Sequence, residues 1–180
     1  MSMVTTFGLT LRAALAAGTF LLAPSHGNSA PDGIIEVPAA LNPDKLSILQ
    51  VISARGAQVY TCGRSPAGAT SWVFKAPDAQ LFDPQNKVVG THYAGPTWED
   101  LDGGTVVGAV RTSMPAPIGK AIPWLLLDIK SRQGSGAFAQ ARAIVRMETT
   151  GGIVPDEGCD EARAGQEVRI PYMAVYVFLK

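Results

Sequence analysis

The chain of 180 residues has only two cysteines, Cys62 and Cys159. They are 97 positions apart, which is not the short spacing of a metal site or of a Cys-x-x-Cys redox pair. In an oxidising compartment such a pair forms a structural disulfide. The alternative is two free, reactive thiols, but neither cysteine has the neighbours typical of a reactive thiolate. The sequence therefore predicts one disulfide that ties an early part of the fold to a late part.

The first 30 residues have the pattern of an export signal. Leu11 and Arg12 precede an apolar run over residues 13–23, and small and polar residues follow over residues 24–30. The apolar run is too short to cross a bilayer as a helix. We predict a signal peptide over residues 1–27, cleaved between residues 25 and 30, and a periplasmic or secreted protein.

Charge and length exclude several classes of function for the remaining chain. Charged residues make up 17% of the sequence and the formal net charge is zero. Because Lys and Arg are scattered, we expect no nucleic-acid partner. No apolar run after the signal has the length of a membrane span, and no cofactor motif is present, so we expect no cofactor. About 150 residues suffice for one domain with its own core, which we expect to be monomeric.

Short apolar and β-branched segments alternate with turns that contain Gly and Pro. Residues 46–53 and 58–62 predict a hairpin around residues 54–57. Residues 137–148 alternate in polarity and favour a strand, and the further predicted strands cover residues 71–75, 80–82, 87–93, 105–111, 122–129 and 168–179. With 19 Gly and 13 Pro, this pattern predicts an all-β fold. We expect an antiparallel β-sandwich or barrel-like single domain over residues 46–180, with at most one short helix, after an extended lead-in over residues 28–45.

Several segments, in this order along the chain, are similar to those of a known family. They are residues 56–62 (GAQVYTC), 72–74 (WVF), 77–81 (PDAQL), 90–98 (GTHYAGPTW), 122–127 (IPWLLL), 149–152 (TTGG) and 172–176 (YMAVY). From about residue 35 to residue 178 the chain resembles domain of unknown function 3455, a family of exported bacterial and fungal proteins. The resemblance implies a secreted single domain whose biochemical role is unassigned.

The densest group of functional side chains lies over residues 92–102, on and after the Gly95-Pro96 break. Exposed aromatic side chains on such a loop would stack sugar rings or other flat ligands, with nearby polar groups to orient them. The alternative is that the aromatic side chains, Trp72 and Trp124 included, fill the core. The predicted ligand-binding residues are His92, Tyr93, Trp98 and Asp102.

Two kinds of chemistry are conceivable at His92. An enzyme would pair it with Asp100 or Asp102 as a general acid or base, although a structural, hydrogen-bonded histidine is the preferred interpretation. A copper site would combine His92 with the amine and imidazole of His26, if cleavage after Ser25 made His26 the first residue.

Two arginines with a spacing of four, Arg142 and Arg146, are interpreted as part of a solvated face. Taken together, the sequence predicts an exported, disulfide-bonded β domain that acts as a binding or cell-envelope-associated module. Its partner would be a carbohydrate, an envelope component or a small-molecule ligand. The alternative is an extracytoplasmic hydrolase or copper oxidoreductase that uses the loop over residues 92–102.

Overall fold

The computed structural model describes residues 35–65, 68–117 and 119–180, which form an antiparallel barrel. Each strand pairs with the next one in the chain, and β8 pairs with β1 to close the ring. The strands are β1 (Ile48–Arg64), β2 (Thr70–Phe82), β3 (Val88–Tyr93), β4 (Thr97–Asp100), β5 (Thr105–Met114), β6 (Trp124–Gln133), β7 (Ala143–Gly151) and β8 (Glu167–Leu179). The helices of the described part are three short 3₁₀ turns, Ala39–Leu41, Phe138–Gln140 and Glu161–Arg163. The all-β, barrel-like prediction is confirmed.

The predicted signal peptide, its cleavage site and His26 lie outside the described residues. The compact unit spans Glu36–Lys180. Within the described ranges, no helix has the length and hydrophobicity needed to cross a membrane.

The hairpin predicted for residues 46–62 is wrong, because β1 is one continuous strand of 17 residues. It pairs along most of its length with β2 on one side and β8 on the other. Gly56 lies between them, opposite Ala79 and Tyr172. A Cβ atom at Gly56 would lie 2.1 Å from the carbonyl oxygen of Asp78. The glycine therefore permits two backbones to approach closely, and it does not mark a turn.

The strand break predicted near Pro77 is also wrong, since β2 continues through it. Pro77 pairs with Gln58, beside an irregularity in the pairing at Val59 and Tyr60. A strand tolerates proline next to such a bulge because the ladder of hydrogen bonds is already interrupted there.

One end of the barrel interior is filled by packed side chains, and we call it the closed end. Phe138, in the 3₁₀ turn before β7, stacks on Phe178 with ring centres 4.3 Å apart. The buried Asp100 fixes this turn: its carboxylate accepts hydrogen bonds from the backbone N–H groups of Asp102 (3.0 Å), Gly104 (2.8 Å) and Phe138 (2.9 Å). The core around these rings includes Ile52, Leu81, Val106 and Ile144.

The lead-in packs against the outside of the barrel. Leu41 has no exposed surface, and Asp44 forms an ion pair of 2.6 Å with Arg111 of β5. Ser47 and Lys180 exchange two backbone hydrogen bonds. The described part of the lead-in is thus attached to the barrel by the burial of Leu41 and by the ion pair of Asp44.

The predicted disulfide between Cys62 and Cys159 is confirmed. Cys62 lies near the end of β1, and Cys159 lies in the connection between β7 and β8, with 5.3 Å between the two Cα atoms. Trp72 of β2 donates a hydrogen bond from Nε1 to the carbonyl of Glu157 (2.8 Å) in the same connection. The disulfide and this hydrogen bond together attach the loop to the barrel.

Candidate functional site

The end of the barrel opposite Phe138 contains a cavity of about 300 Å³, which we call the barrel-end cavity. Phe74 and Val110 form part of its wall and are 52% and 56% exposed, so the cavity opens to solvent. The rest of its apolar wall comes from Pro77, Pro96, Leu125 and Leu127. Its polar side chains are Gln58, Lys75, His92, Trp98, Arg146 and Tyr176. A mostly apolar pocket with a few converging polar groups is typical of small-molecule sites.

His92 and Trp98 form a stacked pair in the wall of this cavity. Antiparallel pairing of β3 with β4 sets them directly opposite each other, and their rings are 4.3 Å apart at an angle of 15°. Tyr176 of β8 meets both rings edge to face, at 5.0 and 5.3 Å. Gly108 makes room for the indole, since a Cβ there would lie 3.0 Å from it. The pair is 2% and 1% exposed, so its geometry is fixed by packing.

The hydrogen bonding of His92 determines its tautomer. Its Nδ1 lies 2.8 Å from the carbonyl oxygen of Thr97, and because a carbonyl only accepts, Nδ1 carries the proton. Burial lowers the pKa of His92 to about 3, and the positive charge of Arg146 acts in the same direction. The ring is therefore neutral at physiological pH, and its Nε2 is an acceptor.

Arg146 supplies a positive charge inside the barrel end. It lies on β7 opposite Leu125 and Tyr176, and its Nε and Nη2 donate to the carbonyl of Pro123 at 3.1 and 2.8 Å. None of the ion pairs in the described part of the chain includes Arg146. Burial raises the pKa of Tyr176, and the charge of Arg146 opposes that rise, as expected for a cation close to the phenol.

Two buried donors in the cavity wall lack an acceptor. They are Nε1 of Trp98 and Nε2 of Gln58, and neither has a hydrogen-bond partner among residues 35–65, 68–117 and 119–180. A buried polar group without a partner costs about 1–3 kcal/mol, and native proteins contain few of them. Both side chains belong to the wall of the same cavity, and because each nitrogen is itself buried, a ligand supplies the missing acceptor once the neighbouring side chains move aside.

The structure brings together two of the four predicted binding residues, His92 and Trp98. Tyr93 has the opposite orientation on β3, where its hydroxyl donates to Oε2 of Glu99 (2.7 Å) on the protein surface. Asp102 is exposed in the turn between β4 and β5, at the closed end of the barrel. Asp100, considered as a partner for His92, is instead occupied by three backbone N–H groups.

Arg142 is exposed, as its interpretation as part of a solvated face predicts, whereas Arg146 is half-buried and lines the cavity. Sequence reasoning missed this place of Arg146, and it also missed Gln58 and Tyr176. The alternation predicted over residues 137–148 sets Ala143, Val145 and Met147 on one apolar face, and these side chains are buried without being part of the core cluster. The interior face carries Ile144 and Arg146. The interior orientation of Arg146 could have been inferred from Ile144, an apolar residue on the face that was interpreted as polar.

Within the described ranges, no group of three or more His, Cys, Asp or Glu side chains is placed to hold a metal ion. The copper hypothesis also requires His26, which lies outside those ranges.

Comparison with known proteins gives one finding. A search of the curated proteins returns no match, and neither does a search of the solved structures. A family model described as "Protein of unknown function (DUF3455)" matches residues 43–180. The match includes all eight strands, both cysteines and every side chain named above as part of the barrel-end cavity. The chain therefore belongs to the DUF3455 family.

Proposed function

We propose that this protein is an exported binding module that holds a small molecule in the barrel-end cavity. The observation that carries the proposal is that Trp98 and Gln58, both in the cavity wall, have buried donors without acceptors. A ligand that accepts from them would remove the cost of leaving them unpaired.

The empty space is not a necessary consequence of the barrel. The closed end is filled by Phe138 and Phe178, so this sheet is compatible with a fully packed interior. At the other end the chain has Gly95 and Pro96 at the rim, and the neighbouring aromatic rings leave a cavity. Since packing a cavity of this kind normally adds stability, its retention supports a binding role.

The geometry of His92 favours binding over acid–base catalysis. A histidine that acts as general base is usually oriented by a carboxylate and has a pKa near neutrality. Here Nδ1 of His92 is bonded to the carbonyl of Thr97, and burial lowers the pKa to about 3. Asp100 has its oxygens bonded to backbone N–H groups. These features suit a rigid wall that orients a ligand.

Export is supported by the predicted signal peptide and by the disulfide, because disulfides persist in oxidising compartments.

The volume of the cavity also limits the class of ligand. At about 300 Å³, it is at the small end of ligand sites and has the volume of roughly ten water molecules. A compact molecule of roughly ten non-hydrogen atoms fits better than an oligosaccharide.

The proposal is tested by thermal unfolding in the presence of small molecules of this size that carry a positive, a negative or no charge. A ligand present at 100 times its Kd adds about 2.7 kcal/mol of stability, which corresponds to a rise in Tm of about 5 to 10 °C for a domain of this length. Failure of every class to raise Tm would contradict the proposal.

A matched pair of variants assigns any binding to the cavity. Val110→Trp places a large side chain at the mouth, where Val110 is already exposed, and we expect it to weaken binding by about tenfold or more. Leu101→Trp adds the same side chain at the closed end, where Leu101 is 69% exposed, and we expect no effect. Equal effects of the two substitutions would place the ligand elsewhere.

A further inference from the structure

We infer that the ligand of the barrel-end cavity is a small organic monoanion, whose carboxylate pairs with Arg146 and whose apolar body fills the remaining space. This inference rests on the proposed binding function and specifies its ligand class.

The charge balance of the cavity favours an anion. Among the described residues that line it, Arg146 and Lys75 are cationic and none carries a carboxylate. Lys75 is ion-paired with Glu167 outside the cavity, whereas Arg146 has no ion pair with a described residue. A guanidinium at the end of a barrel interior is stabilised when an anion binds to it. A cationic ligand would be repelled.

The guanidinium of Arg146 is already oriented before a ligand binds. Its Nε and Nη2 both donate to the carbonyl of Pro123, and the guanidinium also lies close enough to hydrogen-bond the phenol of Tyr176, where it opposes the rise in the pKa of that group. The remaining N–H hydrogens are left for a ligand. A guanidinium held in this way loses little conformational entropy when it binds. The planar carboxylate group matches its donor geometry.

The other donors in the cavity wall also favour a ligand that accepts hydrogen bonds. Trp98 Nε1 and Gln58 Nε2 both lack acceptors within the described part of the chain, and a carboxylate offers about four acceptor positions. Arg146, Trp98 and Gln58 contribute donors, whereas the acceptors among the lining side chains are Nε2 of His92, Oε1 of Gln58 and the hydroxyl oxygen of Tyr176. The pocket therefore complements a ligand that is mainly an acceptor.

The apolar part of the cavity wall limits the ligand to a single negative charge. The walls that face these donors are the apolar side chains of Pro77, Leu125 and Leu127. A second charge on the ligand would be removed from water against these walls, and the other lining cation, Lys75, is already paired with Glu167. A hydrocarbon body, by contrast, gains free energy from burial there.

The test uses benzoate as the probe and benzamide as its uncharged analogue of nearly the same shape, with binding to the purified protein measured by calorimetry. We expect benzoate to bind roughly ten- to a hundredfold more tightly than benzamide, the range typical of charge-assisted hydrogen bonds. Affinity for benzoate should also fall at low pH as its carboxylate becomes protonated. These two measurements require no variant.

Two variants assign the charge preference to Arg146. Arg146→Gln should lose most of the preference for benzoate, whereas Arg142→Gln, at an exposed position just before β7, should retain it. If Arg146→Gln does not fold, Arg146→Lys keeps the charge but removes the fork of donors, and it should bind benzoate about tenfold more weakly than the native protein.

The outcomes separate this inference from the proposed function. Benzamide or benzylamine binding in the cavity as tightly as benzoate would overturn the anion assignment and leave the cavity as a ligand site. Absence of benzoate binding at millimolar concentration, or full benzoate affinity in Arg146→Gln, would also overturn the assignment. If no cationic, anionic or uncharged molecule raises Tm in the thermal unfolding test, the proposed binding function is contradicted as well.

Discussion

At the scale of single residues, Asp100 and His92 lie on adjacent strands but stabilise opposite ends of the barrel. Asp100 is a buried acceptor that fixes the closed end through three backbone N–H groups. His92 is a neutral ring that forms part of the wall of the barrel-end cavity. Each role gives a separate expectation for stability.

Replacing Asp100 with alanine should lower the free energy of unfolding by about 2 to 4 kcal/mol, because the N–H groups of Gly104 and Phe138 lose their buried acceptor. Urea unfolding measures the change. The control is Asp102→Ala, at an exposed neighbouring position, which should change stability by less than about 0.5 kcal/mol. Similar losses in both variants would contradict the role assigned to Asp100.

The neutral His92 should make the protein less stable as the pH falls. Burial lowers the pKa of His92 to about 3, from 6.5 in an unfolded chain. Below pH 6.5 the unfolded chain takes up a proton that the folded protein does not, so the stabilisation present above pH 6.5 is lost progressively toward pH 3. Between pH 7.5 and pH 5.5 the expected loss is about 1.4 kcal/mol from this residue.

The variant His92→Asn tests this assignment. Asparagine keeps an N–H that can donate to the carbonyl of Thr97 but has no titrating group in this range. The free energy of unfolding of the variant, measured at pH 7.5 and pH 5.5, should change less than that of the native protein by about 1.4 kcal/mol. An identical pH dependence in the two proteins would show that His92 does not carry the effect.

Two residues of the candidate site were accessible from the sequence because they are close together in the chain. His92 and Trp98 flank the Gly95-Pro96 break, and this density of functional side chains indicated a site. Arg146, Gln58 and Tyr176 come from three other strands, and only the closure of the barrel brings them to the same cavity. No local pattern reports such a long-range arrangement.

At the scale of the strands, predicted boundaries are correct where the residue types define a turn. The turn over residues 83–86 and the turn at Gly103 and Gly104 both separate strands as predicted. The errors occurred at Gly56 and Pro77, where the residue types suggest a break but the strand continues. The reason lies in the neighbouring strand, since Gly56 is required by the backbone of Asp78.

Gly56→Ala should therefore be destabilising by about 3 kcal/mol, because a Cβ at 2.1 Å from the carbonyl oxygen of Asp78 forces β1 and β2 apart. Gly63→Ala, on the same strand, is the matched control. A Cβ at Gly63 meets nothing within 4 Å, so this substitution should be neutral or slightly stabilising. Chemical denaturation of both variants measures the difference, and equal effects would refute the close-approach explanation.

At the scale of the whole molecule, the disulfide joins the first strand of the barrel to the connection that precedes the last. Backbone hydrogen bonds from Cys62 to Gln166 and from Gly165 to Cys62 reinforce the same junction. The sequence predicted this link from two cysteines alone, because no other pairing within the chain exists. The sequence did not distinguish a β-sandwich from a barrel, because the difference depends on whether β8 pairs with β1.

Replacing both Cys62 and Cys159 with alanine should lower the free energy of unfolding by about 3 to 5 kcal/mol, since the closed loop of 97 positions constrains the unfolded chain. Urea unfolding of the double variant measures this change. Reduction of the native protein should produce a similar loss, and it serves as the control for the side-chain replacement. Unchanged stability under reducing conditions would contradict a structural role.

The pairing of β8 with β1 also leaves the described sheet without an unpaired strand edge. Free edges are where sheets of separate molecules join and aggregate. The two strands in this seam are distant in the sequence, with Ser53 opposite Val175. A chain in which β8 has not yet docked carries two such edges, on β1 and on β7. Protection from self-association during folding thus depends on how quickly β8 pairs with β1.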